Sequence, residues 1–169
     1  RDNFSMAAIN GQEDYVSPPS GFVITHDGFF DLEGFHEKVK RWYIGKRYTY
    51  TEKEVQIKHK AQGDEIVFGF NGDREIDDFF RFHINYKVFS IRTRKVKEGY
   101  VGWIKINVVA YIHLDWKNRW QKNPWERFLF FVYVNFIIKN RIQRIYESKL
   151  YLEMLESIGV AKSCLGAYH

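Results

Sequence analysis

Apolar and polar residues alternate with period two through three long stretches of this chain. Glu65 to Asn71 places Ile66, Phe68 and Phe70 on one side. Phe80 to Val88 sets Phe80, Phe82, Ile84, Tyr86 and Val88 against Arg81, His83, Asn85 and Lys87. Val101 to Leu114 carries Ile104, Ile106, Val108, Ala110, Ile112 and Leu114 in one phase. Such alternation predicts strands with one buried and one wet face. Tyr48 to Lys60 also alternates, with Tyr48 and Tyr50 in one phase and Val55, Ile57 and His59 in the other. That change of phase predicts a bulge near Glu52–Glu54, and Phe89 with Ile91 predict a second one. Phe22-Val23-Ile24-Thr25 reads as a shorter strand ahead of these. Gln62-Gly63-Asp64, Asn71-Gly72-Asp73 and Lys97-Glu98-Gly99 read as turns, and Asn-Gly suits the positive φ angles of a tight hairpin. Connections this short make the sheet an antiparallel meander of four to five strands.

Two segments have helical spacing instead. Phe35, Val39, Trp42 and Tyr43 form one stripe behind Asp31, a good N-cap, with Gly45 where the helix would stop. This predicts a helix over Asp31–Ile44. Asn123-Pro124-Trp125-Glu126 supplies an N-cap, a first-turn proline and the acid of a capping box. The pattern then continues to about Ser157, with Gly159 as the expected stop. A helix of that length is on the order of 50 Å. It either overhangs the sheet or breaks near Asn140. Phe128 to Ile138 is apolar almost all round, so deep burial is expected there.

The fold class expected is therefore α+β: the meander packed against a short N-terminal helix and a long C-terminal helix. Residues 1–20 read as a polar arm ending in Pro18-Pro19-Ser20-Gly21, residues 21–159 as a single domain, and residues 160–169 as a tail. The strand and helix order resembles the helix-grip arrangement of lipid- and hormone-binding proteins. Ile24-Thr25-His26-Asp27-Gly28-Phe29-Phe30-Asp31-Leu32, Trp42 and Leu114-Asp115-Trp116-Lys117-Asn118-Arg119-Trp120 carry a second likeness. There the chain resembles small archaeal proteins of no assigned function, over about residues 21–157. That likeness implies no site residues.

Composition adjusts this picture modestly. The 169 residues suffice for one core, and 45% hydrophobic with 28% charged residues is globular usage. Aromatics reach 18%, which suits a ring-built core, or an aromatic-lined cavity or interface. The net charge of +5 leans toward acidic partners such as nucleic acid. A single cysteine, Cys164, excludes an intrachain disulfide and a cysteine-based zinc site, and makes a cytoplasmic location the default. No run approaches the twenty apolar residues of a membrane span. The chain opens on Arg1, as a processed or truncated chain would.

No motif assigns an activity, a metal or a cofactor. Thr25-His26-Asp27-Gly28 with Asp31, Glu33 and His36 has the residue types for acid–base work. A turn, a cap and solvated helix residues explain them as well. His83 and His113 could meet across adjacent strands, with Asp115 beyond; Cys164 and His169 lie in the tail and make no credible nucleophile pair. Three functional expectations remain. The first is a non-enzymatic structural or interaction protein that self-associates, as a homo-oligomer, through its N-terminal arm or its long C-terminal helix. The second is a nucleic-acid-binding module using Lys58, Lys60, Arg81, His83, Lys87, Lys105 and Tyr111 on the polar sheet face, where charge meets phosphate and rings meet bases. The third is an apolar small-molecule carrier with a cavity bounded by Phe82, Tyr86, Trp103 and Phe131.

Overall fold

The structure, a computed structural model, describes residues 12–18, 20–139 and 142–166. It is an α+β fold in which one antiparallel sheet is crossed on one face by helices. The strands are β1 (Glu13–Tyr15), β2 (Phe22–Phe30), β3 (Thr49–Lys58), β4 (Asp64–Glu75), β5 (Phe80–Val96) and β6 (Gly99–Leu114). The order β6-β5-β4-β3 is the expected meander, and both β1 and β2 pair with the free edge of β6. Residues 13–15 thus extend this chain's own sheet, with Asp14 opposite Ile112.

The period-two phases resolve as expected. Phe82, Ile84, Tyr86 and Val88 are buried on β5, and Ile104, Ile106, Val108, Ala110, Ile112 and Leu114 on β6. Register slips between Lys53 and Gln56 and between Ile91 and Arg94, where the phase changes lie. Helix α1 (Leu32–Gly45) is capped by Asp31, whose Oδ1 accepts the Gly34 N–H at 2.8 Å. It buries Phe35, Val39 and Tyr43 against β4 and β5 rings.

Several boundaries differ. Asn71-Gly72-Asp73 is not a turn: β4 runs through it to Glu75. Gly72 is there for contact, because a Cβ on it would lie 2.0 Å from the Tyr43 ring. The chain reverses instead at Ile76–Phe79, where Asp77 Oδ1 accepts the N–H groups of Phe79 (2.7 Å) and Phe80 (2.8 Å). Gly45 does not take the left-handed position after α1; Arg47 does, at φ 65°. On β3, Val55 and Ile57 are exposed, because this edge strand has little packed over it.

The C-terminal part of the chain is helical on both sides of Asn140, the expected break, which lies outside the described residues. It comprises α2 (Pro124–Val132), a π-helical segment Tyr133–Ile138, a second π-helical segment Ile142–Glu147, and α3 (Ser148–Ser163). Asn123 Oδ1 accepts the Glu126 N–H at 2.9 Å, and Glu126 Oε2 accepts from Lys122 N–H at 3.0 Å. Gly159 does not stop the helix, which continues to Ser163. Leu150, Met154, Ser157, Ile158 and Ala161 seat α3 in the core. Arg74 pins α3 to β4 through both carboxylate oxygens of Glu153 at 3.0 Å, and Tyr48 donates to the same carboxylate at 2.6 Å. No described helix is long and apolar enough to cross a membrane.

Candidate interaction surface

Deep burial was expected for residues 128–138, and the structure overturns it. Of α2 and the first π-helical segment, only Phe130 and Val134 are buried. These two, one helical turn apart, hold the segment against the sheet end, where the Phe130 and Phe79 rings are 6.0 Å apart. Tyr133 leans on Phe79 at 6.3 Å and Ile138 packs at the core's margin, while several other apolar side chains face outward. Trp125 is 66% exposed, Phe128 54%, Phe131 50%, Phe136 77% and Ile137 65%, with Trp120, Leu129 and Tyr133 partly open beside them. At 100° per residue, Trp125, Phe128, Val132 and Phe136 form the stripe opposite Phe130 and Val134.

The area involved is large. A ring offers about 150–250 Å², and six of them stand roughly half exposed here. With Leu129 and Ile137 the exposed apolar area is on the order of 700 Å², spread over more than half of the helix circumference, and the Trp125–Phe128–Phe136 stripe is the largest single share of it. One side of a standard protein–protein interface is about 800 Å².

The loop before α2 is firmly built, so the helix start has a fixed place. Asp115 is buried at φ 50°, and its carboxylate accepts the N–H groups of Arg119 and Trp120, each at 2.9 Å. Trp116 donates to the Asp77 carbonyl at 2.8 Å, and Lys117 pairs with Asp78. Trp120 then stacks on Tyr133 at 6.4 Å.

Arg81, His83, Lys87, Lys105 and Tyr111 share the polar sheet face, with His83 paired opposite Tyr111 and Lys87 and Lys105 farther along the strands, opposite Asn107 and Phe89. His83 and Tyr111 stack at 4.6 Å and 7°, and Tyr15 follows at 5.2 Å from Tyr111. Burial lowers the His83 pKa to about 4, which keeps the ring neutral, and burial lowers that of His113 also. Arg81 is engaged by Asp73. Lys58 and Lys60 lie away from this group, at the end of the β3 edge and in the turn after it, and Lys60 pairs with Glu65. No single basic track joins all seven.

The four cavity residues are not brought together. Phe82 and Tyr86 are packed in the core. Trp103 lies on the other sheet face beside Phe89, at 6.4 Å, and Phe131 is outside the core altogether. Other candidates disperse as well. His26 contacts the Phe29 carbonyl at 2.8 Å, and His36 pairs with Glu52 at 2.8 Å. His83 and His113 do meet, 5.8 Å apart, but Asp115 is turned into its own loop. His169 lies outside the described residues, and Cys164 is buried. No metal-binding cluster occurs among the described residues.

A buried acidic pair went unseen in the sequence. Asp14 on β1 faces Glu147 in the second π-helical segment, with Lys139 nearby. Burial, then the neighbouring Asp14 carboxyl, pushes the Glu147 pKa up to about 8, and burial raises that of Asp14. The residues are 133 positions apart, and only the fold reveals the pairing. Comparison with protein-family models, curated proteins and solved structures finds no match to this chain.

Proposed function

We propose that this is a non-enzymatic interaction protein that self-associates, with the outward face of α2 and the first π-helical segment as its working surface. The observation that carries the reading is the exposed stripe of Trp125, Phe128 and Phe136 on a segment whose buried residues are Phe130 and Val134. A helix apolar on all sides is stable in water only when something covers it. Of the two routes expected from sequence, the helix has the stronger support. The described part of the arm pairs with this chain's own β6, while the apolar helix face has no such partner among the described residues.

The test is mass in solution by light scattering over a concentration series, on the native chain and on the Phe128→Glu/Phe136→Glu variant. The native chain is expected to assemble, and the variant to remain at monomer mass with an unchanged far-UV spectrum. Both side chains point outward, so folding does not depend on them. A native chain at monomer mass at high micromolar concentration removes this reading.

The sheet face has one feature favouring the nucleic-acid alternative, the half-buried Tyr15–Tyr111–His83 ring ladder on the face that also carries Lys87 and Lys105 farther along the strands. Its charge is thinner than the sequence suggested, because Asp73 and Glu65 occupy Arg81 and Lys60. Binding that weakens steeply with salt, and that is lost on charge reversal at Lys87 and Lys105, would favour that alternative.

A further inference from the structure

We propose that residues 12–17 act as a strap across both ends of the exposed segment 124–138, so that docking of the N-terminal arm decides whether that segment is held in place. The strap stands apart from self-association; its consequence for assembly rests on that reading.

Two contacts, made by arm residues only two apart, carry the inference. Gln12 serves the front of the segment. Its Nε2 donates toward the carbonyls of Leu114 (3.2 Å) and Asp115 (3.0 Å) and toward Asn118 Oδ1 (3.0 Å). Its own carbonyl accepts the Leu114 N–H at 2.7 Å. Asp115 and Asn118 are left-handed, at φ 50° and 54°. Such backbone costs energy in residues other than glycine and persists where neighbours impose it. The Asp115 carboxylate in turn holds the Arg119 and Trp120 N–H groups just ahead of α2. Gln12 therefore braces the turn from which α2 departs.

Asp14 serves the rear. Its buried carboxyl meets Glu147 in the second π-helical segment. Lys139, which directly follows the first π-helical segment, lies near both carboxyls. One short strand thus touches the chain before the exposed segment and after it.

The arm is built as a contact that can open. β1 contributes three paired residues to the β6 edge, and β2 contributes nine farther along the same edge. The arm can therefore leave without unpairing β2. Val16 is the apolar side chain that the described arm buries. Its other fastenings are polar: Val16 N–H donates to the Ala110 carbonyl at 3.0 Å, and Ala110 N–H to Ser17 Oγ at 3.2 Å. Elements with so little buried apolar surface open locally before the rest of a domain.

Amide hydrogen exchange on the full chain, read by mass spectrometry, tests the strap. Val16→Asp places a carboxylate in the arm's apolar seat and ejects the arm; Gln12→Ala removes the front contact alone. In Val16→Asp, exchange is expected to quicken about tenfold or more over residues 12–17, 115–123 and 142–147 together, with β2 and β5 at native rates. In Gln12→Ala, residues 115–123 alone should quicken. If Val16→Asp frees residues 12–17 while 115–123 and 142–147 keep their native rates, the arm is an appendage and the strap is overturned. Quickening that spreads through β2 and β5 overturns it also, because the arm is then part of the core. Light scattering reads the consequence: Val16→Asp is expected to assemble only at several-fold higher concentration than the native chain. Assembly unchanged in Val16→Asp, with the exchange pattern as expected, overturns control of assembly by the arm. A native chain at monomer mass removes the self-association reading alone, and the exchange pattern still decides the strap.

Discussion

Gly72→Ala is expected to be among the most damaging single-methyl additions this protein can receive. The new Cβ would sit 2.0 Å from Tyr43 Cε1 and 2.3 Å from Cδ1. The ring has no room to yield. Tyr43 is fully buried, with Tyr48, Tyr50, Phe70 and Tyr86 at 5.7–6.3 Å around it. Its hydroxyl donates to the Ile84 carbonyl at 2.7 Å, so a tilt that frees the methyl breaks a buried hydrogen bond. Overpacking costs about 1–3 kcal/mol, and an orphaned buried hydroxyl about 1–3 kcal/mol more. The smaller unfolded-state entropy of alanine returns about 0.4–1 kcal/mol. The net loss is about 1–5 kcal/mol. Gly159→Ala is the matched control, since its Cβ meets nothing within 4 Å in the middle of α3. There the same substitution should gain about 0.5–1 kcal/mol from helix propensity. Urea unfolding at one fixed protein concentration reads both changes as shifts in midpoint at unchanged slope. A Gly72→Ala chain as stable as the native one would show that Tyr43 does not rest on this glycine, and the packing of α1 on β4 would need redrawing.

Two further perturbations read the buried polar groups. Ser157 and Tyr86 are bonded in the core at 2.7 Å, and Ser157 donates to the Met154 carbonyl at 2.7 Å. Ser157→Ala leaves the Tyr86 hydroxyl buried without its acceptor and should cost about 2 kcal/mol in urea unfolding, against less than ~1 kcal/mol for Tyr86→Phe; the reverse order would count against the bond. The Asp14–Glu147 pair sets a pH dependence. Glu147 keeps its proton to about pH 8 when folded, so between its ordinary value of 4.5 and about 8 the folded state holds more protons than the unfolded one. Stability therefore falls as pH rises through that window and levels off above it. For a partly solvated group the loss is on the order of 1–2 kcal/mol. Glu147→Gln should flatten the fall and stabilise the protein at pH 8, and an equally steep fall in that variant would place the titrating group elsewhere.

The sheet was legible because period two reports a relation within the chain. Ile104 to Leu114 alternate, one face is covered, and the side chains that alternate inward are the ones buried. Caps were legible for the same local reason: Asp31 and Asn123 each reach only three residues along the chain. Asn71-Gly72-Asp73 misled because the glycine answers to Tyr43, about thirty positions away. A turn and a close contact leave the same letter in the sequence. The actual turn was marked by Asp77, whose side chain bonds two N–H groups, a signal that Asn-Gly overshadowed.

Residues 128–138 misled for a deeper reason. An apolar run says that a segment needs cover, but does not say whose. Within one chain the covering layer is finite. Helix α3 and the second π-helical segment already occupy the sheet, with Tyr146 over Phe80 at 4.7 Å and Ser157 on Tyr86. The Pro124–Ile138 segment meets the sheet at the β4–β5 hairpin end, where Phe130 and Tyr133 lie against Phe79. The demand for burial encoded by Trp125, Phe128 and Phe136 is therefore unmet among the described residues. The same residues that fail as core predictions carry the proposed self-association. On the other face of the sheet, Arg81 is paired with Asp73 and burial holds the His83 ring neutral, relations that the sequence does not display.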